Sequence, residues 1–505
     1  MLARLFNLPL IVALMGLAAC SMLAPAVFAA VARDWASARI FLYTGTIFLA
    51  LTAMIALATG DRAKSRPVRA PLLDLLAAFL GLPLLLAIPV WESVPEISFL
   101  DSYFEMVSSL TTTGATILDG GLIVPETIHL WRAMTGWLGG FLMWFMAVAI
   151  LAPLSLGGFE VLGRAPITDN ASFSQIARRA DTSARLRHYA AVLAPVYAGL
   201  TLVLWIGLYL FGDSAFVALC HAMSTLATSG ISPVNGTTSA SSGFGGEALI
   251  LFFMIFALSR RTFTRDTTDI GLHHLSKDPE LRLGLTFVIA VPALLFFRHW
   301  VGAIEADEGS GLAQMFWALW GSIFTVVSFL TTTGFESSGW INSKEWSGLE
   351  TPGLIFLGLA LVGGGVATTA GGVKLLRVHV LYRLGQRELD RLVHPSSVGG
   401  TSGQSRQSSR QGAFMAWIFF MLFALTVAIV MLALSLTGLG FESAVVLTVS
   451  ALSTTGPLAS IAVESPILFS TLTDQAKTIL AFSMVLGRLE TLAIISLFNP
   501  EFWRN

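Results

Sequence analysis

The sequence predicts an all-α polytopic membrane protein: two N-terminal helices plus four pseudo-symmetric helix–pore loop–helix modules around one central pore. Three observations carry that prediction. The 505 residues are 55% hydrophobic and only 12% charged, with a mean hydropathy of +0.75, too apolar for a chain with an ordinary water-facing surface. Apolar runs long enough to cross a bilayer recur along the chain. A short polar phrase recurs with them. It reads Thr111-Thr112-Thr113-Gly114, then Ala227-Thr228-Ser229-Gly230, Thr331-Thr332-Thr333-Gly334 and Ser453-Thr454-Thr455-Gly456. The spacing of roughly 105–120 residues fits one small membrane module per copy rather than a solenoid repeat.

The first two helices are read from the runs Leu5 to Val31 and Ile40 to Thr59. Arg4, the apolar run and Ala18-Ala19-Cys20 imitate a cleavable leader, but the run is longer than a signal h-region and spans a bilayer, so a retained helix is expected. The basic loop Asp61 to Arg69 falls on the cytoplasmic side by the positive-inside rule, which puts the N-terminus there too. These helices occupy residues 1–70.

Module 1 (71–187) runs from a span at Pro71 to Val90 through a short helix, Ser98 to Leu110, into the first polar phrase. It returns through Ile128 to Leu151 to a loop carrying Arg164, Arg178, Arg179, Arg185 and Arg187. Module 2 (188–282) repeats this with Ala190 to Phe211, the short helix Asp213 to Leu226, Glu247 to Leu258, and a loop with Arg260, Arg261, Arg265, Lys277 and Arg282. Asp213 is expected to cap its short helix. Module 3 (283–412) has Leu285 to Val301, the acidic Glu305 to Glu308, the short helix Met315 to Leu330 and a last span from Pro352 that is interrupted. Ser396 to Gly412 reads as a flexible cytoplasmic linker. Module 4 (413–505) has Phe414 to Leu436, the short helix Glu442 to Leu452 and a final span Ile479 to Phe498. All the basic loops fall on one side, which also places the C-terminus in the cytoplasm.

Non-helical backbone at membrane depth is tolerated only where protein buries it or it lines a watery cavity. The four phrases are therefore expected to line one cavity, their glycines freeing the backbone so that carbonyls can replace a cation's hydration shell. The C-termini of the short helices add partial negative charge. The candidate filter is Thr112, Thr113, Gly114, Thr228, Ser229, Gly230, Thr332, Thr333, Gly334, Thr454, Thr455 and Gly456. Asp119 and Glu336 are candidates for an acidic outer vestibule, the alternative being ordinary solvated loop charge.

The interrupted span holds Gly363-Gly364-Gly365 and Gly371-Gly372-Val373-Lys374. Each glycine weakens a helix by about 1 kcal/mol relative to Ala, so a break and a gate beneath the filter are expected; close helix packing is the alternative use of such residues. Lys374 is followed by Leu375, so the run is no phosphate loop. Arg488, inside the last apolar span, is expected to face the pore's inner half; snorkelling or pairing with Glu490 is the alternative.

Net charge is −1, so nothing points to nucleic acid. Cys20 and Cys220 have no metal-ligand spacing and are expected to be packing residues. An enzyme is not expected, since His273-His274 lacks ligand partners and no Ser, His and Asp converge; nor is any bound organic cofactor.

Ser109 to Thr116, Leu130 to Met134 with Trp137 to Gly140, Phe329 to Phe335 and Leu486 to Glu490 together resemble the Trk/Ktr/HKT superfamily of potassium transporters, most closely the bacterial Trk membrane subunit. The resemblance covers nearly the whole chain. It implies potassium uptake across the inner membrane with K⁺ as the transported, filter-bound metal ion. It also implies a homodimer with one pore per subunit, a cytosolic nucleotide-binding regulatory partner, and an obstructing intramembrane loop matching Gly363 to Lys374 with Arg488 beside it. Ala227, Ser229 and Pro457 depart from strict fourfold repetition, which implies weaker K⁺/Na⁺ discrimination than a channel has. A Na⁺-coupled or Na⁺-permeable relative is the alternative, although Gly114 keeps the potassium-type residue. A purely structural subunit is the remaining reading.

Overall fold

A computed structural model describes residues 9–59, 70–118, 124–152, 158–159, 182–234, 236–259, 278–302, 312–348, 353–394, 403–463 and 465–489. The described residues are helical with connecting loops, and eight helices among them are long and apolar enough to cross a membrane.

Helices α1 (Leu10–Ser21) and α2 (Leu23–Val31) form one span with a break at Met22. Pro25 lies in the first turn of α2, where a missing N–H is tolerated. The antiparallel α3 (Trp35–Thr59) packs along both. Gly45 makes the contact close, because a Cβ there would stand 3.2 Å from Met22 Cβ.

The remaining helices are described under the expected modules, although those opening modules 2, 3 and 4 begin before the expected bounds, at Thr182, Pro279 and Gly403. In module 1 these helices are α4 (Ala70–Ser93), the short α5 (Phe99–Leu110) and α6 (Glu126–Met146), which ends in a π turn over Ala147–Leu151. Module 2 has α7 (Thr182–Leu210), the short α8 (Ala215–Ala227) and α9 (Gly243–Ile255). Module 3 has α10 (Pro279–Gly302), α11 (Leu312–Leu330), an outer α12 (Trp340–Ser347), and a divided return made of α13 (Gly353–Val362) and α14 (Leu375–Val393). Module 4 has α15 (Gly403–Ser435), the short α16 (Phe441–Leu452), one turn α17 (Leu458–Ile461) and α18 (Asp474–Leu489).

The start of α5 is set by a capping box, with Ser98 accepting from Asp101 N–H at 3.1 Å while Asp101 accepts from Ser98 N–H at 3.2 Å. The two orphan donors of a first helical turn are thereby satisfied reciprocally. Asp101 also receives Lys477 Nζ at 2.6 Å, which ties α18 back to α5 and so links the last module to the first.

Three expectations are corrected. The cap of α8 is Ser214, whose Oγ accepts from Val217 N–H at 3.3 Å; Asp213 instead takes Ser242 N–H at 2.8 Å, a tertiary bond. The second half of the expected flexible linker is helical, since α15 begins at Gly403 and no proline interrupts the following residues. Of the two cysteines, Cys220 is buried as expected but Cys20 is exposed, on a helix of membrane-spanning length and composition.

Candidate functional site

Each short helix ends in the same turn. Thr113 N–H donates to Ser108 O at 2.8 Å, Ser229 N–H to Ser224 O at 3.0 Å, Thr333 N–H to Ser328 O at 2.8 Å and Thr455 N–H to Ser450 O at 2.8 Å. The residue before each of these is left-handed: Thr112 at φ 56°, Thr228 at 51°, Thr332 at 57° and Thr454 at 54°. A β-branched residue in that region is a strained outlier that persists only where its surroundings over-determine it. Four copies of one strained turn, all buried, make it a built feature of the site.

Hydroxyls brace three of the turns. Thr111 Oγ1 and Thr113 Oγ1 lie 2.8 Å apart, Thr331 and Thr333 3.0 Å, Ser453 and Thr455 3.2 Å. Ala227 has no hydroxyl, and there Ser229 Oγ pairs with Ser224 Oγ at 3.1 Å instead.

The four phrases meet in a closed ring. Gly114 (φ +74°) packs so tightly on Ser229 that a Cβ would collide with its carbonyl oxygen, Gly230 (φ +64°) stands likewise against Thr333 O, and Gly334 (φ +83°) against the Pro457 ring. Gly456 closes the circle on Gly114 and Ala115, and its N–H donates to Thr113 O at 2.6 Å. The order around the ring is therefore 1-2-3-4. The fourth member departs from the others, since the backbone at Gly456 is not left-handed. The sequence-predicted filter residues are thus brought together.

Beneath the ring lies the glycine-rich loop, residues 363–374, between α13 and α14. Gly363 at φ 71° and Gly372 at 77° allow the chain to reverse. Val373 N–H returns to Leu361 O at 2.8 Å and Lys374 N–H to Val362 O at 2.9 Å. The loop is fastened to the filter's base: Gly371 N–H donates to Thr332 Oγ1 at 2.7 Å and Thr369 Oγ1 to Leu226 O at 3.1 Å. Two further bonds hold it from below, with Gly365 N–H on Ala257 O of module 2 at 2.9 Å and Val366 N–H on Glu280 Oε1 of α10 at 3.1 Å. Lys374 Nζ donates to Ala370 O.

Arg488 is buried at 3% exposure and donates from Nη1 to Thr369 O at 2.6 Å. The carbonyl of the loop, not an exposed interface, receives this cation. Glu490 and Asp119 lie outside the described residues, as do the arginines and lysines of the expected basic loops apart from Arg185, Arg187 and Arg282, which belong to helices α7 and α10 and not to loops. Glu336 follows the third filter phrase and is half-buried; its carbonyl accepts from Thr237 Oγ1 of module 2. Burial raises its carboxyl above the ordinary value, with the Lys344 charge acting in the opposite sense.

Sequence reasoning missed the side chains that hold the outer limbs of these loops. Glu105 takes Ile117 N–H at 2.8 Å and Thr116 Oγ1 at 3.2 Å, and pairs with Arg132 of α6 at 2.5 Å. His221 Nε2 lies 2.8 Å from Ser232 Oγ. Thr325 Oγ1 faces Ser337 N–H at 3.5 Å. Glu105, His221, Thr325 and Leu447 each stand nine residues before a filter glycine, a register visible in the sequence once the repeats are aligned. Glu247 takes three bonds from module 3; opening an apolar run, it reads in sequence as an interfacial charge.

Residues 37–504 match the family model described as TrkH, a cation transport protein. The Trk system potassium uptake protein TrkH of Escherichia coli K12 is 31% identical over 496 residues, 96% of each chain. Trk system potassium uptake protein TrkI of Halomonas elongata is 31% identical over 439 residues, 85% of this chain and 82% of that one. The crystal structure of the potassium transporter TrkH from Vibrio parahaemolyticus superposes with a TM-score of 0.80 at 27% identity, covering 100% of both chains. A ring of four filter-like turns over a glycine-rich loop, with relatedness along almost the whole length, establishes that this multi-pass membrane protein belongs to the TrkH family of cation transport proteins, a family of transporters and not of enzymes.

Proposed function

We propose that the protein takes up potassium ions across the bacterial cytoplasmic membrane through the ring formed by its four polar phrases. The observation that carries this reading is the fourfold strained turn, Thr112, Thr228, Thr332 and Thr454 in left-handed backbone at the ends of four short helices. A strained turn repeated about one ring presents successive carbonyls where the helix C-termini already favour a cation. The threonine hydroxyls brace the backbone and the carbonyls of Thr112, Thr228, Ser229, Thr332, Thr333 and Thr454 meet the ion, while Thr113 O accepts from Gly456 N–H at 2.6 Å and Thr455 O from Ser450 Oγ–H at 3.0 Å. The glycine-rich loop and Arg488 block the path beneath, a fixed positive charge and a physical plug acting together.

The relatives named above are Trk system potassium uptake proteins, and from that kinship we carry over a homodimer with one pore per subunit and a cytosolic nucleotide-binding partner on the basic loops. Both chain termini then lie in the cytoplasm. Glu336 contributes to an acidic outer vestibule.

A second reading, a Na⁺-permeable or Na⁺-coupled transporter, is favoured by one observation. The Gly456 N–H occupies the Thr113 carbonyl, which leaves the ring with less than four equivalent quarters at that level. Rb⁺ and Na⁺ uptake into proteoliposomes at varied pH and voltage, comparing wild type with Gly334→Ser, separates the readings. Potassium selectivity requires Rb⁺ to exceed Na⁺ in the wild type and the ratio to fall in the variant. Equal uptake of both ions in the wild type removes the first reading.

A further inference from the structure

Glu247 sits near the start of α9 in module 2, yet the three hydrogen bonds its carboxylate accepts among the described residues come from module 3. Its Oε2 takes Trp320 Nε1–H and Ser337 Oγ–H, each at 2.7 Å, and its Oε1 takes Ser338 N–H at 2.7 Å. The residue is 2% exposed. Trp320 belongs to α11, the helix that ends in the third filter phrase, while Ser337 and Ser338 belong to the limb that leaves it. The limb lies directly on the helix, since a Cβ on Gly321 would collide with Gly339 O. Ser337 Oγ in turn accepts from Gly339 N–H at 3.1 Å. One carboxylate therefore joins both sides of filter loop three.

In module 1 that service is done from within by Glu105, which stands nine residues before Gly114 and takes Ile117 N–H. In module 3 the equivalent position is Thr325, whose hydroxyl reaches Ser337 N–H only at 3.5 Å. A neutral hydroxyl at that distance is a marginal tie, whereas bonds to a buried carboxylate are short and strong. The adjacent module supplies the missing charge.

We propose that Glu247 is a positioning residue for ion selectivity, holding the third quarter of the filter at its working width from the neighbouring module. This rests on the filter reading given above. Gln in its place has a single acceptor oxygen, so with three donors converging at least one meets an NH₂ group and is lost. Asp keeps both acceptor oxygens on a shorter stem.

The test uses the full-length protein in proteoliposomes, with Rb⁺ and Na⁺ uptake measured for wild type, Glu247→Gln, Glu247→Asp, Trp320→Phe and Gly334→Ser. Glu247→Gln should lower the Rb⁺/Na⁺ ratio about tenfold, the loss of one bond to a charged group. Glu247→Asp should recover part of the ratio, and Trp320→Phe, which removes one donor and leaves a smaller aromatic ring, should lower it about threefold. If Gly334→Ser lowers the ratio and Glu247→Gln and Trp320→Phe do not, the positioning role is overturned while the filter stands. An unchanged ratio in Gly334→Ser overturns both. Should Glu247→Gln fail to fold, Trp320→Phe alone decides: a reduced ratio supports the role and a wild-type ratio overturns it.

Discussion

Gly456 N–H donates to the carbonyl oxygen of Thr113 at 2.6 Å, so the fourth filter phrase is hydrogen-bonded to the first. Gly456 departs from the left-handed backbone of the other three glycines and is followed by Pro457, whose ring lies against Gly334. Fourfold repetition in the sequence thus yields a ring with one seam.

The seam makes an unusual demand on Gly456. Its backbone angle would accept alanine, but a Cβ would collide with Ala115 N and come within 2.7 Å of the Gly114 carbonyl carbon. Overpacking of this kind costs about 1–3 kcal/mol. Gly456→Ala should lower Rb⁺ uptake about tenfold in proteoliposomes, and wild-type uptake would show that the seam is not close-packed in the working protein.

Thr331 braces Thr333 at 3.0 Å and also donates to Val327 O at 2.9 Å. Thr331→Val keeps the shape and deletes the hydroxyl, leaving the left-handed turn at Thr332 less supported. We expect the Rb⁺/Na⁺ ratio to drop while Thr331→Ser retains it, at a stability cost of about 1 kcal/mol for the Val variant. Equal ratios in the two variants would argue that the hydroxyl is dispensable.

Glu105 and Arg132 are 0% and 4% exposed and 2.5 Å apart. Removing one partner of such a pair leaves an uncompensated buried charge and costs about 3–5 kcal/mol. Glu105→Ala should therefore lower the thermal midpoint in detergent by several degrees and Glu105→Gln by less. Matching midpoints for Glu105→Ala and wild type would rule out the pair as a stabilising element.

The raised carboxyl of Glu336 has a direction in pH. Its folded value lies above its unfolded one, so the protonated form is favoured in the fold; the associated stabilisation is full below the unfolded value and fades as pH rises through the folded one. For transport the sense is that the vestibule loses this negative charge at a higher external pH than a free carboxylate would. Rb⁺ uptake at low external cation should decline on acidification, and Glu336→Gln should flatten that limb. An identical pH profile in the variant would remove Glu336 from cation capture.

Arg488 donates to Thr369 O at 2.6 Å beneath the filter. Arg488→Ala removes both the bond and the charge, and basal cation flux should rise several-fold, since a buried cation bars others from its surroundings. Unchanged flux in sealed vesicles would count against any barrier role.

The architecture was legible because apolar runs and the repeated phrase carry their own periodicity; the C-terminal ends of the short helices, at Leu110, Ala227, Leu330 and Leu452, agree with the sequence to within a residue, while two of their starts differ by two or three. The break at Gly363 was legible for the same kind of reason, local glycine cost. What the sequence hid was tertiary. Threonine disfavours left-handed backbone, so Thr112 and its counterparts gave no sign of it; the conformation is imposed by burial and by carbonyls below. Asp213 looks like a cap because caps are local, and only the fold brings Ser242 to it. Glu247 looked like an end of a span because its three donors lie some seventy to ninety residues away.

Thr332 is at once the strained hinge of the third filter turn and the acceptor that holds Gly371 of the loop beneath. If the loop withdraws as the proposed gate, it frees that hydroxyl at the same moment, and the floor of the proposed filter would relax as the path opens. In the proposed mechanism passage and discrimination would then be coupled through one side chain, and a wide-open state would also be the least discriminating one.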